Sequence, residues 1–196
     1  MNEEQKKMTP LPTGEVSPSI FAINNIFVNF FIIKQGGKTI AIDAGADPTL
    51  SLKEMQTIEV SPADIDTVLL THDHGDHTAL LSQFSNAKVY AFNEKIFKHE
   101  NITPTKVSHG DKFNLQGLDI EVIHTPGHKW DHVCYLLNNS LLIAGDTMSI
   151  KNGKIALFNE VYNEDNDLQQ KNIDELMKIS DIKKIITSHY GVLELS

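Results

Sequence analysis

At 196 residues, with 40% hydrophobic content and a formal charge of −9, the chain can bury one substantial core and is read as a single domain over residues 1–196. All 17 basic residues are lysine; the absence of arginine, the usual bidentate partner of phosphate and guanine edges, and of any basic stripe excludes nucleic acid as an expected partner. No run approaches the roughly 20 apolar residues of a membrane span, the first seven residues lack the pattern of a secretory signal, and one cysteine, Cys134, supports neither a disulfide framework nor a thiolate metal site. A cytoplasmic protein without membrane attachment is therefore expected.

Residues 1–17 are polar, contain Pro10 and Pro12, and read as an irregular lead-in. Strands follow near 19–24, 26–34 and 38–43, with Gly36-Gly37 marking a hairpin turn. A helix is predicted near 48–57 and a short helical start at Ser61-Pro62-Ala63-Asp64. The apolar run Thr67-Val68-Leu69-Leu70 leads into a polar turn and a helix over 77–84. A strand over 87–91 and a helix near 93–98 come next, then strands near 112–115, 118–124, 133–138 and 140–145. A second long helix is predicted over 165–179, where Leu168, Ile173, Leu176 and Met177 recur at helical spacing. A last strand covers 183–188. No internal repeat or low-complexity linker interrupts this order.

The polar turn carries the chemistry. Residues 71–77 read Thr-His-Asp-His-Gly-Asp-His, so three of the nine histidines, His72, His74 and His77, stand with two carboxylates in one turn. Imidazole nitrogen and carboxylate oxygen are the donors that zinc and similar divalent ions take. His72 and His74 are two apart, so in extended chain both face the same side; Asp76 and His77 then face a neighbouring position. Three more strands deliver a donor at their downstream ends: His128 in His124-Thr125-Pro126-Gly127-His128, Asp146 in Ala144-Gly145-Asp146, and His189 in Thr187-Ser188-His189. In layered α/β architectures that edge is where sites are built.

This pattern resembles the metallo-β-lactamase superfamily, with its H-x-H-x-D-H motif, a later His, a bridging Asp and a last His. Thr39-Ile40-Ala41-Ile42-Asp43-Ala44-Gly45 resembles the family's strand ending in Asp-x-Gly, which implies that Asp43 supports the site from behind the ligands. The resemblance implies an α+β fold, a four-layer αβ/βα sandwich. It also implies two divalent metal ions, zinc first, with iron or manganese as alternatives. One ion would be held by His72, His74 and His128, and the other by Asp76, His77 and His189, with Asp146 bridging. Cys is common at the Asp146 position in the antibiotic-degrading branch, so the Asp resembles the glyoxalase II-like and lactonase-like branches instead.

What this implies is a metallohydrolase that cleaves a thioester, ester or lactone of a small molecule. Paired ions lower the pKa of a shared water toward about 7 and polarise a carbonyl, and Asp76 is the residue implied to orient the resulting hydroxide and take a proton. Two alternatives stay open: a mononuclear iron thiol or persulfide dioxygenase, which the same motif fits, and a non-catalytic metal-binding module. Several other residues are read as secondary. His124 and His132 are expected to be hydrogen-bonding histidines, with a groove-lining role for His132 as the alternative. His99 and His109 are expected at the surface, and Lys129 as a solvated loop lysine. Tyr190 and Trp130 are candidates for the groove wall, and residues 150–166 for its rim.

Overall fold

The computed structural model describes residues 1–93 and 102–195. Each long apolar run of the sequence becomes a strand. The first sheet has seven, in the order β1-β2-β3-β4-β5-β6-β7: β1 (Gly14–Ser17), β2 (Ile20–Asn25), β3 (Val28–Gln35), β4 (Lys38–Ile42), β5 (Thr67–Leu69), β6 (Lys88–Ala91) and β7 (Thr105–Lys106). The second takes β8 (Lys112–Leu115), β9 (Leu118–His124), β10 (Val133–Leu137), β11 (Leu141–Ile143), β14 (Lys184–Thr187) and β15 (Gly191–Glu194), ordered β15-β14-β11-β10-β9-β8. A separate hairpin pairs β12 (Met148–Lys151) with β13 (Lys154–Leu157).

The two sheets face each other through Phe31, Ile33, Ile42 and Leu69 on one side and Ile120, Val122, Tyr135 and Ile143 on the other, all buried. Side chains of this kind contribute roughly 1.5–3 kcal/mol each when fully buried, so this layer is a major source of stability. The outer face of the first sheet packs on Leu52 and Met55 of helix α1 (Pro48–Thr57). The outer face of the second packs on Ile173 and Leu176 of helix α3 (Asn166–Leu176). The order helix, sheet, sheet, helix is the expected four-layer αβ/βα sandwich.

Both long helices start where their sequences direct. Asp47 accepts from the Leu50 N–H at 2.8 Å with Pro48 in the first turn, and Asp165 accepts from the Leu168 N–H at 2.9 Å. The short helix α2 (Gly75–Thr78) differs from the helix predicted over 77–84. It begins two residues earlier and stops after one turn, because the Ala79 and Leu80 N–H groups donate to Gly45 and Ala44 carbonyls (3.0 Å each) instead of continuing the helical ladder. A 3₁₀ turn over Leu81–Gln83 then buries Leu80, Leu81 and Phe84. The helix predicted near 93–98 and His99 lie outside the described residues.

Several elements go beyond what the sequence predicts. The lead-in contains a 3₁₀ turn (Gln5–Lys7) and ends in β1, so it is not irregular throughout. Strands β7 and β15 and the β12–β13 hairpin were also unexpected. The hairpin had a signal: Asn152-Gly153, both at positive φ (53° and 70°), is the turn pair that two-residue hairpins favour.

Strand direction builds the functional edge. β4 and β5 run parallel, and so do β11 and β14. β9 and β11 are each antiparallel to the β10 between them, so β9 points the same way as β11. Within each sheet, then, the strands that precede His, Asp and Thr end on one edge. Two bonds tie the sheets together there: the buried Tyr135 hydroxyl donates to the Leu70 carbonyl (2.8 Å), and the Val133 N–H donates to the Thr71 carbonyl (2.8 Å).

Candidate metal centre

All seven donors singled out in the sequence converge at this edge. They form two groups whose donor atoms lie within 4.8 Å of one another: His72, His74, His128 and Asp146; and Asp76, His77 and His189. In the first group, His74 Nδ1 is 3.0 Å from both His72 Nε2 and His128 Nε2. Donors about 2.0–2.1 Å from a tetrahedral ion stand roughly 3.3 Å apart, so this spacing is that of nitrogens aimed at one centre. Asp146 Oδ2 lies between the groups, 3.4 Å from His128 Nε2, 3.9 Å from His72 Nε2, 3.5 Å from His77 Nε2 and 3.2 Å from His189 Nε2. Asp76 Oδ2 is 3.6 Å from His189 Nε2 and 4.0 Å from His77 Nε2.

The imidazoles are held from behind, which decides which nitrogen faces the centre. Asp43 Oδ1 accepts from the Thr71 N–H, and Oδ2 from the Thr71 hydroxyl and His77 Nδ1, each at 2.8 Å. Because the Thr71 hydroxyl donates to Asp43, its oxygen is left to accept from His72 Nδ1–H at 3.0 Å. His128 Nδ1 donates to Asn163 Oδ1 (3.0 Å) and His189 Nδ1 to the Phe27 carbonyl (2.6 Å). Four imidazoles thus have their proton fixed on Nδ1 and turn an Nε2 lone pair inward, the arrangement a metal ion requires.

His72, His77, His128, Asp146 and His189 are each no more than 2% exposed. Burying so many polar groups is costly unless something satisfies them. Among the described residues, His77 Nε2 and Asp146 Oδ1 are buried with no hydrogen-bond partner. A divalent cation is the partner whose chemistry fits these orphaned donor atoms, and the residues present fit it.

The electrostatics agree. Burial, then the neighbouring His77, holds His72 well below the usual imidazole range, and burial pushes His128 down to about 4. Both are neutral near pH 7, as a ligand must be. Burial also opposes charge on His77, but Asp146, Asp43 and Asp76 outweigh it and raise its proton affinity well above the usual range. A cation arriving at His77 therefore displaces a proton. Burial disfavours the Asp146 carboxylate, yet His189 and His77 keep it well below the ordinary range.

Two glycines permit the close approaches that place these donors. A Cβ on Gly145 (φ 54°) would lie 2.6 Å from His132 Nε2, and one on Gly127 (φ 141°) would lie 2.6 Å from the Gln169 backbone. Gln169, buried on α3, donates from Nε2 to the Asp146 carbonyl at 2.8 Å.

The secondary residues resolve as follows. His132 does not line the groove: it is buried behind Asp146, where Nε2 accepts the Asp146 N–H at 3.0 Å and Nδ1 meets the Thr125 and Thr147 hydroxyls. His124 stacks on Phe92 (4.0 Å, 8° between planes) and bonds to the Trp130 carbonyl, away from the cluster. His109 is exposed as expected. Trp130 is 52% exposed, and Tyr190 packs against Phe158 without lining the cavity. Lys129 is an ion-pair lysine, held by Asp73 (3.4 Å) and Glu164 (3.1 Å).

A cavity of about 360 Å³ opens beside the cluster, bordered by His74, Asp76, His128, Asp146 and His189. Its other walls are Phe27, Phe158 and Tyr162, with Gln5 and Met8 from the N-terminal segment. Phe158 and Tyr162 fall in the expected rim. Gln5, Met8 and Phe27 carry no sequence signal, because nothing in a mostly polar lead-in or a hairpin turn marks it as a wall.

A two-sheet sandwich whose strand ends gather histidines and carboxylates defines a scaffold with a candidate metal centre at one edge. The model of the metallo-beta-lactamase superfamily matches residues 23–189, and the chain belongs to that superfamily. It is 28% identical over 183 residues to the beta-lactamase-like protein 2 homolog of Drosophila melanogaster, covering 85% of this chain and 59% of that protein. It is 35% identical over 133 residues to a hydroxyacylglutathione hydrolase of Francisella tularensis subsp. novicida, covering 64% and 50%. The chain thus spans 59% and 50% of the length of these two relatives. Among solved structures, a metallo-beta-lactamase family protein of Thermus thermophilus shares the fold with a TM-score of 0.74 at 20% identity, covering 92% of this chain and 76% of that one.

One buried acid next to the site has a separate consequence. Asp131 is 1% exposed and, among the described residues, neither carboxylate oxygen has a hydrogen-bond partner. Burial, then Asp73, pushes its pKa up to about 6, with Glu164 adding repulsion and Lys129 offsetting part of it. The folded value lies above the unfolded one, so the native state binds the proton more tightly. The stability cost of Asp131 is absent below pH 4, grows between about 4 and 6, and is complete above 6. Asp131→Asn is expected to stabilise the fold by about 1–2 kcal/mol at pH 8, after allowance for solvent screening, and by much less at pH 4.5. Denaturant titrations of both proteins at the two pH values test this; an equal difference at both would show that the charge is compensated.

Proposed function

We propose that the chain is a metal-dependent hydrolase that cleaves a thioester, ester or lactone of a small molecule. His72, His74 and His128 would hold one ion, Asp76, His77 and His189 the other, and Asp146 would touch both. The observation that carries this reading is the position of Asp146 Oδ2, within 3.2–3.9 Å of imidazole nitrogens from both groups. The aspartate at this position and the likeness to a hydroxyacylglutathione hydrolase favour acyl transfer to water. Zinc is the ion that an imidazole and carboxylate donor set suits first.

When bound, paired divalent ions supply hydroxide at neutral pH and polarise a carbonyl. The chain's own residues do the rest. Asp43, Thr71, Asn163 and the Phe27 carbonyl fix the imidazole tautomers, so that no ligand needs to reorient. Asp76, whose side chain is 25% exposed, borders the cavity. From there its carboxylate can orient a water and take its proton, then return it to the leaving thiol or alcohol. The cavity borders the ligand cluster, and an acyl group would reach the cluster through it.

Metal analysis of protein purified without added metal, together with turnover of simple thioesters and lactones, tests the reading. Two zinc ions per chain with turnover are expected. His72→Ala and His128→Ala should each lower the content to about one ion and remove most activity, since each takes one of only three nitrogens from the same group. One iron per chain without hydrolysis would replace this reading with an iron dioxygenase. Unchanged metal content in both variants would overturn the ligand assignment.

A further inference from the structure

Resting on the hydrolase reading, we propose that the cavity selects a substrate whose non-reacting group is uncharged and apolar, and that the N-terminal segment is part of the selecting wall. Away from the ligand cluster, the lining consists of Met8, Phe27, Phe158 and Tyr162, with Gln5 as the single amide. Among the described residues, no lysine lines the cavity, and its charged groups outside the histidines, Asp76 and Asp146, are acidic. Lys129, next to His128, is committed to Asp73 and Glu164. Bound cations would offset charge at the reacting end only. A substrate arm bearing carboxylates or phosphates would leave them without partners against aromatic walls, which disfavours it. An alkyl or aryl arm instead gains by burial. A volume of about 360 Å³ is at the small end of ligand sites and holds a short arm.

The N-terminal wall is built in and tied at both ends. The Asn2 side chain exchanges hydrogen bonds with the Tyr162 hydroxyl (2.9 and 3.2 Å), and Asn159 Nδ2 donates to Glu4 Oε2 (2.8 Å). Further along, the Thr9 N–H donates to the carbonyl of His189 itself (2.8 Å), and the Leu11 N–H to Asn29 Oδ1 (2.7 Å). Gln5 and Met8 lie between these anchors. The segment therefore joins the 158–162 rim to the loop that carries His189, and Met8 is held at the cavity as a specificity-determining residue.

Calorimetric titration of the metal-loaded protein with two non-hydrolysable thioethers tests this. S-hexyl-N-acetylcysteamine is neutral, whereas S-hexylglutathione has the same alkyl group on a charged arm. The neutral compound is expected to bind at least about tenfold more tightly. Met8→Lys should cut that preference by about tenfold or reverse it, and Met8→Ala should weaken the neutral compound several-fold while preserving the wild-type melting temperature. Equal or tighter binding of the glutathione conjugate, or a preference that neither Met8 variant moves, would overturn the proposal. If the neutral thioether binds as expected but no thioester, ester or lactone is turned over, the hydrolase reading fails and the cavity assignment stands.

Discussion

Asp146→Asn is expected to weaken metal binding at both positions and to reduce activity by more than the roughly 100-fold that outer hydrogen-bond partners typically control. The carboxylate is 2% exposed, and its Oδ2 is near four inward-facing imidazole nitrogens. On the two-ion reading it would be the group that offsets repulsion between the two dications. Asparagine keeps the shape but removes that charge, and an amide N–H₂ turned inward would compete for the lone pairs the ions need. Fold stability should change far less than activity, because the backbone of residue 146 is held independently by His132 on its N–H and Gln169 on its carbonyl. Metal content after dialysis, read beside the melting temperature, separates the two effects. Asp146→Cys sharpens the test: a thiolate is a good zinc ligand, so that variant should keep at least one zinc while losing most hydrolysis. Two ions bound to Asp146→Asn as tightly as to wild type would remove the bridging role.

The legibility of this protein follows from where its information is stored. Donor residues are confined by chemistry to His, Asp, Glu and Cys, of which this chain has one Cys inside a strand, and a rigid strand ends before each donor or donor turn. The motif at 71–77 and the single residues His128, Asp146 and His189 were therefore readable together with the strands that deliver them. What local sequence does not encode is contact at a distance. Helix α2 stops early because the carbonyls of Ala44 and Gly45, some thirty residues upstream, capture the N–H groups of Ala79 and Leu80. His132 is the hydrogen-bonding histidine its position suggests, but its partners, the Asp146 N–H and the Thr125 and Thr147 hydroxyls, are supplied only by the packing of β10 on β11. The same holds for Gln169 and Asn163, ordinary polar residues on and beside α3 until that helix docks. The N-terminal wall is the extreme case: Gln5 and Met8 acquire their place through bonds of their segment to residues 29, 159–162 and 189.

Asp43 shows how far such an outer contact reaches into the chemistry. Its backbone sits at φ 64°, a left-handed conformation that asparagine tolerates as well as aspartate. Asp43→Asn therefore introduces no backbone strain, and its effect isolates the carboxylate. That carboxylate accepts three hydrogen bonds: the Thr71 N–H on one oxygen, and the Thr71 hydroxyl with His77 Nδ1 on the other. An amide has one acceptor oxygen, so its N–H₂ must face one of these donors. Turned toward the Thr71 N–H, it leaves a buried amide unpaired, at about 1–3 kcal/mol. Turned toward His77, it donates to Nδ1 and drives the ring proton onto Nε2, the nitrogen that the metal needs free. The second arrangement disables His77 directly, whereas the first keeps its hydrogen bond but removes the negative charge behind the ring. Metal affinity at the group formed by Asp76, His77 and His189 should fall about 10- to 100-fold, and activity with it, while the fold is retained. Competition with a chelator measures the affinity, and the NMR tautomer signature of the His77 ring nitrogens distinguishes a lost ligand orientation from general loosening. If Asp43→Asn matches wild type in affinity and keeps the His77 proton on Nδ1, then Asp43 is a turn residue whose bond to His77 has no part in metal binding.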